Sequence, residues 1–269
     1  RSQTVTGVQT CALPISGQLW GMPIFRWDIL KERHFSWWMH RVEHNMKLYD
    51  LMRIDHFRAF SAYWEVPADH DTAMNGKWVE SPGRQFLANL WANYGQLPFI
   101  AEDLGYIDQG VVDLMNEFNL PGMRLLQFAF GEKMAVNDYI PHNHIPNCVV
   151  YNGTHDNNTV KGWYAHELSQ ADRKRISFYV NKQLTPDSAP NALIHLAMMS
   201  VSNLCILRMQ DLLALGEEGL MNKPGTANGN WSWRLRLDQL TSELGRYLYE
   251  LTEGYGRLNT TLSIKSSKA

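Results

Sequence analysis

Five short apolar runs recur along the chain, each separated from the next by a stretch with helical or turn-forming character. That alternation constrains the fold more than any other feature. The runs cover 51–55, 98–102, 123–128, 148–152 and 204–210. Apolar residues at three-to-four spacing predict helices over 28–49, 83–94, 109–118, 169–183 and 189–201, with a last one near 237–251. Strands alternating with helices form βαβ units around a parallel sheet, so the fold class is α/β. Five strands leave two architectures open: a doubly wound open sheet, or part of a closed (β/α)8 barrel, which needs eight.

Four of the runs lead into acids. The first closes on Asp55, flanked by Arg53, His56, Phe57 and Arg58; the second closes on Glu102 and Asp103. The fourth opens into Gly153-Thr154-His155-Asp156, and the fifth reaches Gln210-Asp211. Unpaired charges buried inside a sheet cost several kcal/mol each. They belong instead where parallel strands open into a crevice, at their C-terminal ends. Carboxylates that converge there raise one another's pKa. Glycoside chemistry uses such a set, with one carboxylate ionised as nucleophile and a second held protonated as acid. A metal site would use it too, with Asp55, Glu102, Asp156 and His155 as ligands. Taken alone, Asp55 and its arginines also fit an ion-pair network that merely closes a strand.

Composition narrows the class. A length of 269 residues suits one large domain or two small ones, and ten tryptophans with 45% apolar residues supply a core. The net charge of −2 comes without a basic stripe, so neither nucleic acid nor an anionic membrane surface is expected as a partner. No apolar run approaches the ~18 residues of a membrane span. Three widely spaced cysteines, Cys11, Cys148 and Cys205, argue against a disulfide framework and for a cytoplasmic setting. Residues 1–16 lack periodicity and resemble a translated adapter, a non-native leader set aside from the fold. The abundance of Trp and Tyr hints at sugar binding, since flat apolar faces with polar edges suit pyranose rings.

The ordered motifs carry a resemblance. Arg53-Ile54-Asp55-His56-Phe57-Arg58, Ala101-Glu102-Asp103-Leu104-Gly105 and Gly153-Thr154-His155-Asp156-Asn157 resemble, in order, the three catalytic motifs of the 4-α-glucanotransferases. These are the amylomaltases or disproportionating enzymes, glycoside hydrolase family 77. Flanking segments agree: Gly17-Gln18-Leu19-Trp20-Gly21, Leu120-Pro121-Gly122-Met123, Gln210-Asp211-Leu212-Leu213, Met221-Asn222-Lys223-Pro224-Gly225-Thr226 and Gly229-Asn230-Trp231-Ser232-Trp233-Arg234. The resemblance runs from about residue 17 to the last helix. It implies a (β/α)8 TIM barrel truncated to about strands four to eight, so that 17–269 form a partial catalytic barrel. Ala59 stands where the family usually has Gly.

The resemblance also implies roles. Asp55 would be the nucleophile, Glu102 the acid/base, and Asp156 the third acid that grips sugar hydroxyls. Arg53 would pair with Asp55, while His56 and His155 would bind sugar hydroxyls. Gln18 and Trp20 would line the acceptor side and Asn222 would contact donor sugar. Substrates would be α-1,4-glucans, maltooligosaccharides and glucose, with no cofactor, no metal and no obligate protein partner. A retaining α-glucan hydrolase and an inactive carbohydrate-binding fragment are the competing functions. Tyr63 and Trp64 could be sugar platforms or core. His142 and His144, in Pro141-His142-Asn143-His144-Ile145-Pro146, read as loop residues, as does the polar tip Asp69-His70-Asp71. Glu217 and Glu218 read as an exposed charged face.

Overall fold

Each of the five apolar runs overlaps a strand in the computed structural model, which describes residues 2–5, 19 and 21–258, although the run at 123–128 turns helical from Leu126. The chain divides into two units, 1–123 and 124–269. The first holds β1 (Ser2–Val5), β2 (Met22–Pro23), α1 (Trp27–Glu32), α2 (Ser36–Met46), β3 (Met52–Ile54), β4 (Ala62–Pro67), β5 (Lys77–Glu80), α3 (Gly83–Tyr94), β6 (Phe99–Ala101) and α4 (Gln109–Glu117). The division falls within β7 (Gly122–Leu125). The second unit continues with β8 (Cys148–Tyr151), α5 (Val160–Gly162), α6 (Gln170–Tyr179), α7 (Ala189–Met199), β9 (Leu204–Ile206), α8 (Met209–Leu212) and α9 (Ser242–Gly254).

In the first unit β3 and β6 run parallel, with Met52 opposite Phe99, Arg53 opposite Ile100 and Ile54 opposite Ala101. Helix α3 buries Phe86, Leu87 and Leu90 on one stripe, and it ends at Gly95, whose φ of +70 a glycine adopts without steric cost. Asp108 caps α4 by accepting from the Val111 N–H. The core gathers Phe35, Phe57, Phe60, Phe86, Phe99 and Leu114.

Two segments of this unit depart from the sequence expectation. The helix expected over 28–49 is broken, because His34 and Phe35 take φ values of +51 and +54. The break turns Phe35 into the core beside Phe86, ring centroids 5.8 Å apart. Burying a phenylalanine is worth roughly 1.5–3 kcal/mol, the same order as holding such residues in a left-handed backbone. The stretch expected as a loop around Tyr63-Trp64-Glu65 is an antiparallel sheet in the order β2-β1-β4-β5. Trp64 faces Trp78 across it, the indoles edge-on at 5.3 Å, while Tyr63 and Val66 are buried. Such aromatic cross-strand pairs are what hold a short hairpin in register. Its partner β1 lies inside the stretch 1–16, to which the sequence reading assigned no element.

In the second unit β8 and β9 run parallel, with Val149 opposite Leu204 and Val150 opposite Cys205. All four side chains of β8 are buried, the continuous apolar pattern of a parallel strand. Helix α7 buries Leu193, Leu196 and Ala197 against Val150, Val160 and Ile176, and Ile194 and Met198 against Leu251. Side-chain caps from Thr159, Ser169 and Thr241 start α5, α6 and α9. The run at 204–210 shortens to three strand residues because Met209 begins a helical turn. Cys148 and Cys205 are free thiols, and Cys11 lies outside the described residues. Among the described residues, no helix is long and apolar enough to cross a membrane.

Candidate active site

Because Ile54 pairs with Ala101, the residues that follow them, Asp55 and Glu102, leave their strands at the same level. The Glu102 N–H still donates to the Ile54 carbonyl at 2.9 Å, which fixes the base of the side chain. Its carboxylate sits in a backbone cradle: the His56 N–H donates to Oε2 at 2.6 Å and the Leu104 N–H to Oε1 at 3.1 Å. His56 reaches this position by adopting φ +46, a left-handed turn directly after Asp55. Glu102 is 3% exposed. Burial, and next the negative charge of Asp55, push its pKa up to about 7, against the opposing pull of the two N–H groups and Arg53.

Asp55 is the contrast. Its side chain is 68% exposed and forms an ion pair with the Arg53 guanidinium at 2.9 Å. Burial lowers the pKa of the His56 imidazole, which favours its neutral form. Arg53, Asp55 and His56 border a cavity of about 600 Å³ whose other walls include Phe25, Trp27, Trp38 and Tyr63. One carboxyl group titrating near neutrality beside an ionisable, solvent-facing one is the arrangement that separates acid from nucleophile.

Residues behind the site brace it. The Asp103 carboxylate accepts from the Met123 N–H at 2.6 Å. Gly122 leaves room for that contact, since a Cβ there would stand 2.3 Å from Asp103 Oδ2. Buried Arg58 binds Asp108 at 2.7 Å and stacks on Trp78 at 4.1 Å and Tyr106 at 5.1 Å.

In the second unit β8 runs into the loop 152–159. Asp156 has a side chain 13% exposed, with His155 Nε2 at 3.2 Å. The Asn222 amide donates to Asp156 Oδ1 at 2.6 Å, and the Asn222 N–H donates to the His155 carbonyl at 3.1 Å. Arg208 fixes the loop from beneath, donating to the carbonyls of Thr154 (2.8 Å), Asn157 (2.9 Å) and Asn158 (3.0 Å). Gly153 permits this approach, because a Cβ would lie 2.5 Å from the guanidinium. Asp211 pairs with Arg208 at 2.7 Å and accepts from Asn152 and the Val160 N–H. The fourth acid of the sequence pattern is therefore a buried brace.

The structure thus brings Arg53, Asp55, His56 and Glu102 together in the first unit, and His155, Asp156 and Asn222 together in the second. Gln18 and Trp20 lie outside the described residues. Tyr63 and Trp64 are committed to the antiparallel sheet, and the Trp64 Nε1–H donates to the Ala73 carbonyl. His142 and His144 bond Tyr179, Ser200 and backbone carbonyls, as structural loop residues do. Among the described residues, no group of three or more His, Cys, Asp or Glu side chains could hold a metal ion. Sequence reasoning missed the bracing roles of Asp103 and Arg208; the adjacent Gly122 and Gly153 were the available signal.

Parallel strands that end in paired carboxyl groups of contrasting burial define an α/β fold with its acids at the strand ends, and the family follows from likeness to known proteins. The profile of the family described as 4-alpha-glucanotransferase, glycoside hydrolase family 77, matches residues 3–240, and the chain belongs to that family. It is 42% identical over 262 residues to a 4-alpha-glucanotransferase of Streptococcus pneumoniae serotype 4, covering 97% of this chain and 52% of the relative. A 4-alpha-glucanotransferase of Thermus thermophilus is 42% identical over 96% of this chain and 52% of its own length. Among solved structures, the amylomaltase of Streptococcus agalactiae in complex with acarbose superimposes with a TM-score of 0.88 at 38% identity, covering 96% of this chain and 52% of that one. The chain spans about half the length of the curated relatives it matches.

Proposed function

We propose that this chain carries the catalytic carboxylates of a 4-α-glucanotransferase, which moves an α-1,4-glucan segment to the 4-hydroxyl of an acceptor glucan or glucose. In the first step the Asp55 carboxylate attacks the anomeric carbon, and Glu102 donates its proton to the departing glycosidic oxygen. In the second, Glu102 takes the proton of the acceptor 4-hydroxyl as that oxygen displaces Asp55, so configuration is retained. Asp156, oriented by Asn222 and His155, is the third acid and binds sugar hydroxyls. Arg53 pairs with the Asp55 carboxylate between turnovers.

One observation carries the reading: Glu102 sits buried in a backbone cradle with its pKa raised to about 7, beside exposed Asp55. A proton donor near neutrality next to an ionised nucleophile is what retaining glycoside transfer requires. Acarbose, a pseudo-oligosaccharide, in the S. agalactiae amylomaltase supports α-glucans and maltooligosaccharides as substrates. The parallel pairs β3–β6 and β8–β9 support strands four to eight of a (β/α)8 barrel as the scaffold. Free Cys148 and Cys205 support a cytoplasmic setting. The test is maltotriose disproportionation by the full-length enzyme containing this chain, with product analysis. Transfer gives longer chains, whereas hydrolysis raises total reducing ends. Asp55→Asn should abolish transfer with the fold intact, and a variant that kept parental disproportionation would remove Asp55 from the nucleophile role.

A further inference from the structure

The loop 221–231 contains a residue that the proton transfers above leave unused. Trp231 stands at φ +60, a left-handed backbone that bulky side chains avoid. Such strain persists where the surroundings over-determine it, and it clusters at ligand sites. Core packing does not provide the compensation, because Trp231 is 53% exposed. Instead its N–H donates to the Met221 carbonyl at 2.6 Å, and its ring lies 5.1 Å from the His155 imidazole, tilted by 39°. His155 contacts Asp156, and Asn222, next to Met221, donates to the same carboxylate. The strained turn therefore holds a half-open indole against the imidazole that contacts Asp156, whose carboxylate Asn222 also binds.

That combination complements a pyranose, which has an apolar C–H face and a rim of hydroxyls. We propose that Trp231 is a sugar-stacking residue of the Asp156 cluster, taking the apolar face of a glucosyl unit whose hydroxyls meet Asp156, His155 and Asn222. The inference rests on the α-glucan reading above and adds the residue that sets affinity for that unit. A Trp kept for stability would behave differently. At φ +60 a glycine is the relaxed residue, so removing the ring should not destabilise the fold.

The experiment is calorimetric titration of the full chain with maltoheptaose, alongside thermal melts. Trp231→Gly should bind about tenfold more weakly with a Tm equal to or above the parent's. Trp231→Asn, which also tolerates a left-handed backbone, should lose as much and controls for a slackened loop. Trp231→Tyr should stay within about threefold. Gly and Asn variants that bind within twofold of the parent overturn the inference, as does weaker binding that tracks a lowered Tm. A parent chain that binds no maltoheptaose overturns the α-glucan reading itself, and this inference with it.

Discussion

The two carboxylate clusters are built by opposite means. Glu102 is held by the main chain, through N–H groups of His56 and Leu104 and by its own N–H on β3. Asp156 is held by side chains, through the Asn222 amide and the His155 imidazole. A backbone donor survives almost any substitution, so the position of Glu102 is secured by the fold. The carboxylate of Asp156 leans on Asn222 and His155, either of which a single codon change removes. Burial divides them further: Glu102 is almost sealed from water, and its protonation state is set by that enclosure.

The largest effect should come from Glu102→Gln. Loss of the proposed acid/base removes roughly 10²–10⁴-fold in rate, read as kcat/KM for maltotriose transfer by the full-length enzyme. The parent should show kcat/KM falling as pH rises through about 7, where Glu102 loses its proton. Stability carries the same signature. The folded pKa lies above the ordinary value of 4.5, so the carboxyl's contribution is full below pH 4.5 and is lost as pH rises through about 7. Denaturant melts should show the parent losing on the order of 3 kcal/mol more than Glu102→Gln across that window. Parallel pH profiles for the two proteins would mean that Glu102 is not held protonated.

A smaller effect should follow from loosening the brace behind Glu102. Asp103→Ala removes the carboxylate that accepts from the buried Met123 N–H, a loss of about 1–3 kcal/mol in stability. Gly122→Ala drives a methyl into the Asp103 carboxylate. Both should lower kcat by up to about 10²-fold through misplacement of the acid, with KM little changed. Asp103→Asn, which keeps an acceptor oxygen, should recover most of it. An Asn variant as impaired as the Ala variant would show that charge, and not the tether, matters at Asp103.

The smallest of the three belongs to the second cluster. Asn222→Ala removes one donor from Asp156 and should cost about tenfold in kcat/KM, in line with a hydrogen bond to a charged group. Its Tm should barely move, and the fall in activity near pH 7 should stay in place. A shifted pH profile in this variant would contradict the separation of roles drawn between the clusters.

Much of this was legible in the chain. The strands at 51–55 and 98–102 announced themselves as apolar runs ending in acids, because parallel strands are buried on both faces. The motifs around Asp55, Glu102 and Asp156 fixed the family. What sequence could not show was partnership across distance. Asp211 has the same grammar as Asp55, yet Arg208 and Asn152 bury it as a brace. The left-handed turns at Phe35 and His56 carry no glycine, so tertiary contacts alone reveal them. The antiparallel β4–β5 pair was readable, since Ala62-Tyr63-Trp64-Glu65-Val66 is rich in strand formers, but pairing needs both partners in view.

The central claim is that Glu102 is a buried proton donor poised by its enclosure and by Asp55. Carboxyl-carbon NMR of the glutamate-labelled chain tests it most directly, with the Glu102 resonance assigned by its loss in Glu102→Gln. The account predicts a midpoint near 7 that falls toward the ordinary range when Asp55→Asn removes the neighbouring charge. A midpoint near 4.5 that ignores Asp55→Asn would contradict it.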